Sequence, residues 1–160
     1  MVVRDGGFVE LRLLVPWSEV LRAQWMPRAT PEIFLGTAVN QPAAAFARAF
    51  AQLTAQVERE LHLVTNGTRA VPFSRWHWPS AADVQTALRT ELMARLAAPS
   101  ADHHGERLMA TADVKGDAAL ASVQLQTARV LGPVLVTAYR PVEQLVGVGA
   151  RSAPMAVGRR

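Results

Sequence analysis

The most concentrated β-forming run in this chain is Val134 to Tyr139, inside the stretch Arg129 to Gly149, and it is fenced by Gly132-Pro133 before and Arg140-Pro141 after. Such a run needs a sheet to receive it. The residues ahead of it supply one. Arg107 to Val114 puts Leu108, Ala110, Ala112 and Val114 on one side; Lys115-Gly116-Asp117 turns the chain; Ala119, Ala121, Val123 and Leu125 alternate again. A period of two predicts two strands joined as a hairpin. Val134–Tyr139 then extends that hairpin as the third strand of an antiparallel meander, reaching a helix through Val134, Val136 and Ala138. Tyr139 and Arg140, at the strand's end, are candidate binding residues, although strand punctuation alone explains the proline boundary.

The helix it would reach is the clearest in the sequence. Phe46, Phe50, Leu53, Val57 and Leu61 recur three or four residues apart and share one face over 42–61, with Asn40 as cap and Pro42 in the first turn. A packing role explains this stripe. The chain then runs through Leu61-His62-Leu63-Val64 to Asn66-Gly67, the dipeptide that supplies the positive φ angles of a two-residue hairpin turn, so 61–73 reads as a β-hairpin. Asn66-Gly67-Thr68 also matches a glycosylation sequon, which the turn makes unnecessary as an explanation.

Toward the N-terminus, Val9, Leu11, Leu13 and Val15 alternate with Glu10 and Arg12 as a half-buried strand ended by Pro16. Ser18 is placed to cap a short helical turn through Leu21, flanked by Trp17 and Trp25 at a core edge. Pro27 to Gln41, with Pro31, Gly36 and Asn40, reads as a long irregular connection docked through Ile33, Phe34 and Leu35.

Ser80 to Ala97 supports two readings. Ser80 with Asp83 resembles a capping box, and Val84, Leu88, Leu92 and Leu96 make a helical stripe, yet the same residues also alternate as in a long strand. Propensity and the cap favour a helix at 81–97. Just before it, Trp76-His77-Trp78 places an imidazole between two indoles, a grouping that suits stacking on a sugar or base and equally suits a strand end with His77 facing away from the rings. Together with Tyr139 and Arg140 it forms the candidate binding set. Asp102-His103-His104 lies in a loop; with His77, His103 and His104 give an alternative metal-binding set for a hydrolase, although adjacent histidines diverge and other segments must complete a site.

Composition narrows the function classes. Half of the 160 residues are apolar and 19% charged, a globular balance with no need of a disulfide or structural metal. The net charge of +4 suggests a polyanion partner, but Arg151, Arg159 and Arg160 lie in the tail, leaving 14 basic against 13 acidic residues over 1–150. Nucleic acid is therefore not favoured as a partner, since phosphate binding needs a localised basic face. Cysteine is absent, which removes disulfides, thiolate metal sites and cysteine nucleophiles together. No run has the length of a membrane span, and the N-terminal residues carry no signal-peptide pattern. Phosphate-loop, serine-elbow and zincin motifs are missing, and Glu58 and Glu60 diverge on their helix.

The order VELRLLVPWSEVL, then LHLVTNGT, then RLMATADVKGDAALASVQLQ and LGPVLVTAYRPVEQLV, over residues 8 to 148, resembles the N-terminal extracytoplasmic domain of HupE/UreJ-type bacterial membrane proteins and related uncharacterised proteins. The resemblance implies a β-sandwich-like body and a periplasmic location, near a membrane through segments outside this chain. It carries over no functional residues.

These readings set the expectation: a single α+β domain over 1–150 with a flexible basic tail at 151–160. Its antiparallel sheet, a meander or sandwich, has one long helix and a second helix packed on it. The expected role is a non-catalytic binding domain with a protein partner and no cofactor. The alternatives are the histidine-based hydrolase and a structural subunit of a larger assembly, docked through an exposed strand edge.

Overall fold

A computed structural model describes residues 1–67, 69–98, 105–116 and 120–140. Asp102, His103 and His104, the turn residue Asp117 with Ala119, and the tail at 151–160 lie outside the described residues. In chain order the elements are β1 (Val2–Val3), β2 (Phe8–Pro16), α1 (Trp17–Trp25), α2 (Pro31–Val39), α3 (Ala43–Glu60), β3 (His62–Thr65), β4 (Arg69–Pro72), β5 (Ser74–His77), α4 (Ala81–Ala97), β6 (Arg107–Lys115) and β7 (Val123–Gln126). The fold is α+β, with four helices and two antiparallel sheets among the described residues, ordered β1-β2-β6-β5 and β4-β3-β7.

The period-two strands pack as their sequence dictates. Val9, Leu11, Leu13 and Val15 of β2 are all buried, and β6 meets that strand along its whole length, Phe8 opposite Lys115 through Pro16 opposite Arg107. Ala110 and Ala112 lie on the same inner face, where small side chains leave room for the helices. Phe46, Phe50, Leu53, Val57 and Leu61 are buried as the stripe requires, and they join Leu21, Phe34, Leu35, Leu63, Val84, Leu88 and Val130 in one contiguous core.

Two local signals are realised in full. Asn66 and Gly67 take φ of 50° and 74°, and β3 and β4 pair antiparallel across them. At 80–97 the helix prevails. The Ser80 hydroxyl accepts from Asp83 N–H, and the Asp83 carboxylate accepts from Ser80 N–H, so both halves of the capping box are present.

Five expectations are corrected. The stretch 27–41 is not an irregular loop: Thr30 caps α2 by accepting from Ile33 N–H, and Pro31 takes the first turn, where its missing N–H costs nothing. Asn40 closes α2 and does not open α3; its amide donates to Gly36 O. The turn after Pro16 is a two-and-a-half-turn helix ending at Trp25, and Ser18 is buried in it, making no cap bond.

The two strands at 107–126 do not form a hairpin. β6 joins β2 and β5, whereas β7 joins β3. A side chain decides this: Asn66 Oδ1 accepts from Ala121 and Ser122 N–H, and Asn66 N–H donates to Ser122 O, which clamps the start of β7 to the β3–β4 turn.

Finally, Val134–Tyr139 is not the third strand of a meander. Only Tyr139 makes a bridge, parallel to Val2, and Leu135 is 94% exposed. Gly132, with φ of 67°, and Pro133 break the chain after Ala128 and Val130 have filled the core position beside α3. The apolar run therefore lies outside the core, and Val134, Val136 and Ala138 do not pack on the long helix.

Candidate functional site

The sequence-derived binding residues divide between two edges of the larger sheet. Trp76 and Trp78 stack on each other at 4.7 Å with planes 3° apart, and Trp78 meets the buried ring of Trp17 edge-on at 6.0 Å. The Trp78 indole N–H donates to Glu58 Oε1 at 2.7 Å, and Phe73 meets Trp76 edge-on. These rings are partly buried against the core. Packing against the core holds both indoles, and Glu58 of α3 holds the Trp78 ring by its N–H edge. His77 is exposed and stands opposite Thr111 of β6. The bulge that separates His77 from the ladder ahead of it contains Arg75 at φ 51°.

Tyr139 and Arg140 are exposed beyond β1, at the opposite edge. Between them and β5 stand β1, β2 and β6, so roughly 19 Å of sheet separates them from the tryptophans. The fold does not assemble the candidate binding set into one site. Of the alternative metal set, only His77 is described, and no group of three His, Asp or Glu side chains able to hold a metal occurs among the described residues.

A different site emerges from β2. The strand is paired to β1 only at Val9 and Glu10, while β6 covers its other edge throughout. Arg4 N–H donates to Phe8 O, so the alternation of the antiparallel ladder turns the even-numbered residues of β2 toward the β1 side. Past Glu10, the N–H and C=O groups of Arg12 and Leu14 point the same way, and no strand among the described residues pairs with them.

Along this edge runs a groove of about 980 Å³. Its walls are β2 from Leu11 to Pro16, α1 from Ser18 to Gln24, and the segment Arg129–Thr137. Sequence reasoning missed it because an unpaired edge is a property of which strands meet, and the exposed apolar residues Leu14 and Leu135 looked like strand interior.

The polar chemistry of the groove is mainly cationic. Arg12, Arg22, Arg95, Arg107 and Arg129 line it against Glu19 and Glu91. Arg12 bonds Glu10, whose carboxyl is held below its usual range by the hydrogen bond from Arg4 and then by that from Arg12. Arg95 donates through Nε and Nη2 to Oε1 of the buried Glu91 at 3.1 and 2.9 Å, and also reaches Glu32. The other Glu91 oxygen and the Ser18 hydroxyl converge over Gly105, where a side chain of any size would collide with both. Ser18 and Glu91 thus form a buried polar corner fixed by Arg95. Among the described residues that line the groove there is no histidine. The Met1 amino group, at the groove's other end, has its pKa lowered by burial and then by Arg12, and it donates to Thr137 O.

Comparison with protein-family models, with characterised proteins and with solved structures found no match.

Proposed function

We propose that this domain is a non-catalytic binding domain that engages a protein partner along the groove beside β2, as the accessory part of an extracytoplasmic system. The carrying observation is the unpaired edge of β2 at Arg12 and Leu14, which borders a groove large enough for a peptide segment and has exposed Leu14 and Leu135 at its rims. Backbone groups left free on a strand edge give affinity to any chain that can lie extended against them, and apolar rims give contact area. The extracytoplasmic placement rests on the resemblance to the HupE/UreJ-type N-terminal domain.

Photo-crosslinking in a host cell tests the reading. Photoreactive residues at Leu14 and at Leu135 are expected to trap one and the same protein, and Arg89, exposed on α4, to trap it far less. The purified partner is then expected to bind the domain and to lose affinity for Leu14→Asp. Equal trapping from Arg89, or binding indifferent to Leu14→Asp, would refute the reading.

A further inference from the structure

The groove is one strand wide where it begins. There β1 lies between β2 and the 137–139 segment: Val2 stands opposite Glu10, and on the other side Val3 N–H donates to Tyr139 O at 2.9 Å and Tyr139 N–H to Met1 O at 3.2 Å. Two strand spacings, about 10 Å, therefore separate β2 from that segment. By the same register Met1 falls opposite Leu11, and the groove continues the line of β1 opposite Arg12, Leu13, Leu14 and Val15.

A chain entering this corridor meets two kinds of surface. Inward, the side chains of Leu11, Leu13 and Val15 belong to the apolar core face. At the Pro16 end two arginines without carboxylate partners, Arg22 and Arg107, outnumber the one carboxylate without a cation, Glu19, among the described residues. Arg107 stands opposite Pro16 in the ladder, and Arg22 bonds only the carbonyl of Ala29, so neither has a carboxylate partner among the described residues. Glu91 is already engaged by Arg95. An incoming strand alternates its side chains between the two faces of the sheet, so apolar residues suit one face and carboxylates suit the end where the arginines gather.

We infer that the corridor takes an extended segment of a partner protein, alternating apolar and acidic residues, which adds as a strand to the free edge of β2 between Arg12 and Pro16. Hydrogen bonds to the Arg12 and Leu14 backbone give the affinity, and Arg22 and Arg107 give the preference for acid. The inference rests on the binding-domain reading and specifies the partner for it.

The probe is a capped octapeptide alternating valine and glutamate, titrated into the full chain and followed by amide NMR shifts. It is expected to shift the amides of residues 11–15, 131–132 and 134–137. A valine–lysine counterpart is expected to bind about tenfold more weakly or worse, and this difference is expected to shrink at high salt. Methylating the peptide amides on the β2-facing side removes their donors without touching the protein, and is expected to abolish binding. Leu14→Pro removes the central edge N–H at a position where an edge strand tolerates proline, and should do the same.

Equal binding of the methylated peptide, equal binding of the lysine peptide, or shifts confined to another face would overturn the inference. So would concentration-dependent self-association that Leu14→Pro abolishes, because the occupant would then be a second copy. If the crosslinked partner still binds through the groove while the peptide does not, strand addition fails and the binding-domain reading stands; if both fail, the reading itself falls.

Discussion

Trp78 offers the sharpest division between a ligand platform and a structural strut. Its indole N–H donates at 2.7 Å to the carboxylate of Glu58, and its ring contacts both Trp17 and Trp76. Replacing Trp78 with Phe keeps an aromatic ring but leaves Glu58 without its donor. A hydrogen bond to a charged group contributes about 1.5–3 kcal/mol, and the smaller ring forfeits part of two aromatic contacts of about 0.5–1.5 kcal/mol each. Trp78 is only half-buried and water can replace part of the loss, so the expected cost is about 2 kcal/mol. In a chain of this size that lowers the melting temperature by about 4–8 °C.

Glu58→Gln keeps an acceptor oxygen and should cost about 1 kcal/mol or less. The double variant should show a coupling of about 1 kcal/mol between the two positions. Urea unfolding followed by far-ultraviolet circular dichroism measures all three without relying on tryptophan emission. If Trp78→Phe unfolds within about 0.5 kcal/mol of the parent, the ring is not a strut and its bond to Glu58 does not stabilise the fold.

Two other outcomes are expected. Asn66→Ala should destabilise by about 2–3 kcal/mol, because it loses the acceptor for Ala121 and Ser122 N–H and holds a Cβ-bearing residue without a polar side chain at φ 50°; Asn66→Gly, which relieves the backbone, should cost about half as much in the same urea titration. Glu60 has its pKa lowered by the hydrogen bond from Gln56 and then by that from Arg129 N–H, so its ionised form favours the folded state above the ordinary carboxylate value of 4.5, and that contribution is lost as pH falls through and below it. The urea midpoint should therefore decline between about pH 5 and pH 3, and decline less steeply in Glu60→Gln; superimposable slopes would show that Glu60 is not part of the acid response.

Much of the fold was legible where the determinant is local. The stripe from Phe46 to Leu61, the Asn66-Gly67 turn, the alternation in β2 and the Ser80–Asp83 box each reside in a few consecutive residues, and all appear as read. At Pro27–Gln41 the local reading weighed prolines and a glycine as breakers. Pro31 instead sits at the first turn of α2, where Thr30 makes it an asset, and Phe34, Leu35 and Ala38 are buried. The candidate site was less legible. Trp76 and Trp78 are bound up with the core, His77 faces the other way, and Tyr139 lies at the far edge of the sheet. The groove residues Arg22, Arg107 and Leu14 carried no motif, because what joins them is adjacency in space.

The sequence by itself determined the elements whose hydrogen bonds and apolar faces close over short distances: the helices α3 and α4, the β3–β4 hairpin, the alternating strands, and the α+β class they imply. Tertiary structure decided the pairing. β6 and β7 go to different sheets because β2 offers β6 a partner along its whole length and Asn66 clamps Ala121 and Ser122 to the other sheet. The Val134–Tyr139 run, strong in β propensity, remains outside the core because Val130 already fills the place beside α3 and Gly132-Pro133 turn the chain after it; propensity alone does not fix whether a segment joins an edge. Only Tyr139 finds one, at β1, and what is left of that edge along β2 is the groove.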